Sequence, residues 1–256
     1  MRKPFIAGNW KMNKTPAEAR EMVSELKELV AEVADVDMAV CPPAVALAGV
    51  SELLQDSKVS LGAQNMHWES SGAFTGEISA AMLKELGVEY VILGHSERRE
   101  IFKETDQEVN RKVQKALQEG LKPIICVGET LAERENGKTK DKVSFQVKAA
   151  LAGVAEDKLT DVTIAYEPLW AIGTGESASA EDAADTIAAI REVIAEIAPG
   201  KEEEMRIQYG GSVKPHNIAE FIAEEEIDGA LVGGASLEAE SFAGVIKKCQ
   251  QEDQNR

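Results

Sequence analysis

Thr163-Ile164-Ala165-Tyr166-Glu167-Pro168-Leu169-Trp170-Ala171-Ile172-Gly173-Thr174-Gly175 carries the densest information in the chain. Its first four residues read as a short buried strand, and Glu167 closes it. Pro168 gives the following loop a stiff start and the glycines a supple end. A helix opens at residues 177–180. Strand, loop and helix in that order make one βα unit. An acid at the end of a rigid strand, under a loop that moves as a unit, suits a general base beneath a water-excluding lid. A surface glutamate before a turn has the same local sequence, and the remainder of the chain separates the two.

Working outward, the same unit recurs. Short runs rich in Val, Ile and Leu stand at 5–8, 38–41, 59–63, 90–93, 123–127, 163–166, 206–209 and 229–232, as expected of strands buried on both faces. Amphipathic stretches follow them at 16–33, 44–55, 80–86, 106–118, 142–151, 180–197, 217–223 and 239–249. Thr15-Pro16 and Ser179 with Glu181 are helix-start signals. Eight βα units with no Pro/Gly/Ser-rich linker predict one α/β barrel, a single domain over residues 1–256. A length of 256 residues and 44% hydrophobic content supply one large core.

An open doubly wound sheet is the alternative, and it lacks a dinucleotide fingerprint. Gly173-Thr174-Gly175-Glu176-Ser177-Ala178 has the right letters but does not directly follow its strand. Asn136-Gly137-Lys138-Thr139 resembles the end of a P-loop, yet Ala132 stands where the earlier glycine belongs.

Net charge is −17, which argues against nucleic acid and anionic membrane surfaces as partners. The acidic runs 202–204 and 224–226 read as solvated faces. They repel an anionic substrate at long range, so a phosphate site must be local, built from backbone N–H groups and a well-placed lysine. Cys41, Cys126 and Cys249 are scattered, which indicates neither a disulfide framework nor a zinc knuckle. His67, His95 and His216 are isolated and suggest no metal. The first apolar run stops at Asn9, unlike a signal peptide, and the longest uncharged run, 14 residues at 38–51, contains two prolines. A cytosolic protein is expected.

In such a barrel function sits where strands end. The first strand ends in Asn9-Trp10-Lys11, the fourth in Gly94-His95-Ser96-Glu97, the fifth in Gly128-Glu129 and the sixth in Glu167. The seventh and eighth end in Gly210-Gly211-Ser212 and Gly233-Gly234-Ala235. Each has a plain explanation alone: a capped turn, a snorkelling lysine, a tight bend. Gathered at one rim they place a Lys, a His and a Glu beside two glycine-rich turns, the usual phosphate position in barrels. That constellation fits proton transfer on a small phosphorylated carbonyl compound.

Over its whole length the chain closely resembles the triosephosphate isomerase family. The matching motifs are Gly8-Asn9-Trp10-Lys11-Met12-Asn13, Gly72-Ala73-Phe74-Thr75-Gly76-Glu77, Gly94-His95-Ser96-Glu97-Arg98-Arg99 and the lid stretch quoted above. Gln208-Tyr209-Gly210-Gly211-Ser212-Val213 and Leu231-Val232-Gly233-Gly234-Ala235 complete the set. The resemblance implies a single (β/α)8 TIM barrel and interconversion of dihydroxyacetone phosphate and glyceraldehyde 3-phosphate. It implies Glu167 as the base, His95 as a neutral electrophile, Lys11 as the cation and Asn9 as a donor to the substrate oxygen. Glu97 is implied to position Lys11 and Ser96. Ser96, Gly173, Ser212, Gly233 and Gly234 are implied to bind substrate and its phosphate. The neutral histidine and the closing loop are well-known features of this family, and they come with the resemblance rather than from the residues alone. The resemblance further implies a homodimer in which Thr75 reaches toward the partner's site, with neither cofactor nor metal. Glu176 departs from the frequent pattern, a Lys after Thr-Gly, at the lid's far hinge.

Two other readings stay open at this point. A Schiff-base aldolase needs a lysine inside the barrel on a middle strand, and the strand runs from the fourth to the eighth carry none in mid-strand. A catalytically silent binding protein on this fold would show loss of Glu167, His95 or Lys11, and all three are present.

Overall fold

The computed structural model describes residues 2–171 and 178–255. Eight strands close into a barrel in sequence order: β1 (Phe5–Asn9), β2 (Asp37–Cys41), β3 (Val59–Ala63), β4 (Tyr90–Leu93), β5 (Lys122–Val127), β6 (Thr163–Tyr166), β7 (Arg206–Tyr209) and β8 (Gly229–Val232). Neighbours run parallel, and β8 returns to β1 with Gly229 opposite Phe5. The open-sheet alternative is thereby excluded.

Strand parity decides what each residue meets, because successive side chains face opposite ways. Phe5, Ala7, Ala39, Cys41, Tyr90, Ile92, Ile124, Cys126, Ala165 and Leu231 form one buried cluster inside the barrel. The residues between them, such as Ile6, Val40, Val91, Ile125 and Ile164, join the larger cluster under the helices. Each such Ile or Leu contributes about 1.5–3 kcal/mol on burial. Repetition around the ring makes the scaffold stiff. One step beyond the cluster, the inward parity that runs through Ala7 and Ala165 reaches Asn9 and Glu167. Both are buried although polar.

The outer layer comprises α1 (Pro16–Leu29), α2 (Leu47–Leu54), α3 (Ala80–Glu85), α4 (Ser96–Glu100), α5 (Asp106–Gln118), α6 (Leu131–Glu135), α7 (Thr139–Leu151), α8 (Ala180–Ile197), α9 (Ile218–Ile222) and α10 (Ala239–Asp253). Thr15 and Glu18 form a capping box ahead of α1, and the Ser179 hydroxyl accepts the Asp182 N–H at the start of α8. Some boundaries differ from the sequence reading. The helix expected over 16–33 stops at Leu29, and the one expected over 44–55 begins as a 3-10 turn, Ala44–Ala46. The helix expected from residue 142 starts a turn earlier, at Thr139. The short α6 was not anticipated, although Thr130 and Glu133 form its capping box. Apolar periodicity marks the buried face of a helix and leaves its end residues undefined.

Candidate active site

The rim where the strands end bears a cavity of about 610 Å3, bordered by Asn9, Lys11, His95, Glu167, Gly211, Ser212, Gly233 and Gly234. Glu167 follows β6, and its N–H donates to the Val127 carbonyl at 2.7 Å. Its carboxylate is almost fully buried, at 2% exposure for the residue. Oε1 lies 2.9 Å from His95 Nε2, and Oε2 accepts the Ser96 N–H at 3.0 Å. Gly94, at φ +70°, turns the chain out of β4 and so swings His95 toward the cavity.

His95 caps α4. Its Nδ1 accepts the Glu97 N–H at 3.2 Å, so the proton of the neutral ring sits on Nε2, facing Glu167. Two influences then compete. Burial disfavours charge on the ring, but the Glu167 carboxylate outweighs it and holds the His95 pKa above its ordinary value. Burial also pushes the Glu167 pKa up, yet the His95 ring, the Ser96 N–H and Lys11 together hold it below the usual carboxylate range. Glu167 is therefore ionised. The Glu97 N–H favours neutral imidazole, whereas the touching carboxylate favours imidazolium. A ligand that parts Glu167 from His95 removes the larger upward pull and leaves the smaller one of Glu97.

Lys11 holds a left-handed backbone, φ +52°, which a residue with a Cβ adopts only when its surroundings impose it. Its N–H donates to Asn9 Oδ1 at 3.0 Å, and its carbonyl accepts Gln64 Nε2 at 2.8 Å. Its ammonium donates to Glu97 Oε1 at 2.7 Å. The expected Lys11–Glu97 pairing is thus present, and Asn9 positions Lys11 as well as bordering the cavity. Ser212, whose carbonyl accepts Asn217 Nδ2 at 3.1 Å, stands across the cavity with the Gly233-Gly234 turn. Gly173 lies outside the described residues. Thr75 lies exposed on the 65–79 excursion, away from this chain's own cavity.

Three further residues carry no role in the motifs above. His216, isolated in sequence, borders the cavity. Gln64 grips the Lys11 carbonyl across 53 positions, a contact without local signal. Buried Glu129 accepts Tyr166 Oη at 3.1 Å and Trp170 Nε1 at 2.9 Å, which ties the start of the lid stretch to β5. The aldolase reading fails on position: the lysine among β4–β8 is Lys122, at the entry end of β5 and paired with Glu89 at 2.7 Å.

Fold and site define a (β/α)8-barrel enzyme of the acid–base type, with a carboxylate, an imidazole and an ammonium around one cavity. The triosephosphate isomerase family model matches residues 4–249. Triosephosphate isomerase of Alkaliphilus metalliredigens is 57% identical over 247 residues, covering 96% of this chain and 99% of that protein. That of Carboxydothermus hydrogenoformans is 58% identical over 249 residues, covering 96% and 99%. The crystal structure of triosephosphate isomerase from Bartonella henselae superposes with a TM-score of 0.87 at 38% identity, covering 96% of this chain and 98% of that one. The chain belongs to the triosephosphate isomerase family.

Proposed function

We propose that the protein interconverts dihydroxyacetone phosphate and glyceraldehyde 3-phosphate through an enediolate, in glycolysis and gluconeogenesis. The observation that carries this reading is the buried, ionised Glu167 in contact with His95 Nε2 at a cavity shared with Lys11 and two glycine-rich turns. Glu167 removes a proton from the carbon next to the carbonyl and returns it to the neighbouring carbon. The His95 Nε2–H faces the carbonyl oxygen and moves protons between the two oxygens. Lys11 stabilises the enediolate and phosphate charge. Glu97 holds the lysine ammonium, and Ser96 offers its N–H to the resting carboxylate. Asn9 donates to the substrate oxygen. The N–H groups of Gly173, Ser212, Gly233 and Gly234 cradle the phosphate. The reaction shifts protons only, so it requires no cofactor.

Glu167 rests against His95 Nε2. Substrate must displace it from His95, and closure of the stretch after Pro168 then covers the enediolate. A coupled assay on the purified protein, run in both directions, tests the reading. Turnover with both triose phosphates is expected, and its absence would refute it.

The working form is a homodimer. Met12 is 95% and Phe102 67% exposed, beside a cavity of about 270 Å3 bordered by Asn9, Lys11, Gln64, His95 and Glu97. A second copy's 65–79 loop, with Phe74 and Thr75 exposed at its tip, fits there and covers that apolar surface. No helix among the described residues is long and apolar enough to cross a membrane. With three buried free cysteines, a cytoplasmic location suits the chain.

A further inference from the structure

Gln146 stands on α7, outside the barrel, with only 4% of its surface exposed. A polar side chain at that depth needs a partner. Its Oε1 accepts the Gly128 N–H at 2.8 Å. That N–H belongs to the same planar peptide unit as the Val127 carbonyl. The Val127 carbonyl is the acceptor for the Glu167 N–H, at 2.7 Å. Gln146 and Glu167 therefore grip opposite ends of one rigid plane.

The contact on the far side is equally close. A Cβ at Gly128 would stand 1.8 Å from the Glu167 carbonyl oxygen and 2.7 Å from its carbonyl carbon, so the two backbones touch. The next residue, Glu129, accepts the Leu169 N–H on its carbonyl at 3.1 Å and Trp170 Nε1 on its carboxylate. Residues 127–129 thus hold both the backbone of the base and the start of the lid. Turning the Val127–Gly128 peptide moves all of these partners together.

We propose that Gln146 is a positioning residue for Glu167, acting through the Val127–Gly128 peptide plane. This rests on the isomerase reading given above. With Gln146 unable to accept, the buried Gly128 N–H must turn toward another acceptor, because an unmet donor at that depth is costly. The rotation carries the Val127 carbonyl, and with it the backbone that aims the carboxylate. A misplacement of about 1 Å at the base lowers turnover by roughly tenfold to hundredfold. The proposed phosphate contacts at Ser212 and at Gly233-Gly234 follow β7 and β8, away from this peptide, so binding is affected far less than turnover.

The test compares wild type, Q146L and Q146E by steady-state kinetics and by the deuterium isotope effect on kcat with substrate labelled at the abstracted position. Leucine keeps the volume and removes the acceptor, whereas glutamate keeps an acceptor oxygen. In Q146L, kcat is expected to fall about tenfold or more with KM changed by less than about twofold, and the isotope effect to grow as proton transfer becomes limiting. Q146E is expected to recover most of the loss. If Q146L does not fold, Q146N gives the same readings, since it withdraws the amide by one methylene. A folded variant without the acceptor that shows wild-type kcat and isotope effect, and merely a lower Tm, overturns the proposal. A wild-type protein without isomerase activity overturns the functional reading itself, before any variant is compared.

Discussion

Glu167 and His95 form a coupled pair, and each sets the other's protonation. Glu167→Gln keeps shape and burial but cannot take a proton, so kcat should fall by about 10²–10⁴-fold with the fold retained. Near-normal turnover in that variant would remove the base assignment. The same substitution tests the electrostatics. The His95 pKa in the folded chain lies above its unfolded value because the Glu167 carboxylate outweighs burial. Its contribution to stability is therefore complete below the unfolded pKa and is lost as pH rises through the folded one. With Gln at 167 the largest upward pull disappears and only the smaller one of Glu97 remains, so the imidazolium fraction at a given pH should fall. Ring 15N shifts of His95 measured through the titration decide it, and an unmoved midpoint would contradict the pairing. Lys11→Met removes the cation whose ammonium faces Glu97 at 2.7 Å. Turnover and affinity for a phosphate-bearing transition-state analogue should both drop by about a hundredfold or more. Unchanged analogue affinity would show that Lys11 does not meet the bound anion.

Among the elements, β2 shows how the entry end of the barrel is tied. Asp37 opens β2, and its carboxylate pairs with Lys3 at 2.6 Å and Arg206 of β7 at 2.7 Å. Burial pushes its pKa up, but hydrogen bonds from Lys3 and Arg206 prevail and hold it below the ordinary value. A carboxylate with a depressed folded pKa stabilises the fold above its unfolded pKa, and that stability is lost as pH falls through the folded value. Asp37→Asn should lower the urea midpoint at pH 7 by a modest amount, since the pair is partly solvated. The gap to wild type should narrow in acid as Asp37 protonates. A gap that stays constant with pH would assign the effect to packing. The strands themselves were legible in sequence nearly to the residue, because burial on both faces makes each a continuous apolar run bounded by polar residues. Helix ends were less so. The helix ends at Leu29 and Thr139 lie a turn away from where the apolar pattern puts them, because periodicity marks a buried face and not the last hydrogen-bonded turn.

Assembly belongs to the whole molecule. Exposed Met12 and Phe102 border the smaller cavity beside Lys11, and the 65–79 loop carries exposed Phe74 and Thr75. In the proposed homodimer, Thr75→Arg would carry an unpaired charge into the second copy's pocket at a cost of about several kcal/mol. Sedimentation at micromolar concentration should show monomers, and activity should fall although no residue around the substrate has changed in the same chain. A fully active Thr75→Arg monomer, or a wild-type monomer, would overturn the homodimer. The net charge of −17 bears on solubility rather than fold, and in the proposed function a substrate anion is met locally by Lys11 and the backbone of the glycine-rich turns.

By itself the sequence determined eight βα units, the strand ends that bear Asn9, Lys11, His95 and Glu167, and the family those motifs resemble. It could do so because strand burial, helix capping and glycine turns are short-range effects, legible within a few residues. Tertiary structure alone decided that Glu167 rests against His95 and Ser96 and that Gln64 clamps the Lys11 carbonyl. It alone joined Gln146 to the base through the Val127–Gly128 peptide. The hydrogen bonds among these contacts join residues 18 to 71 positions apart. Those at Lys11 and Glu167 exist because closing the barrel brings the ends of non-adjacent strands to one rim, and that of Gln146 because α7 packs back on β5, juxtapositions that no local stretch of the chain encodes.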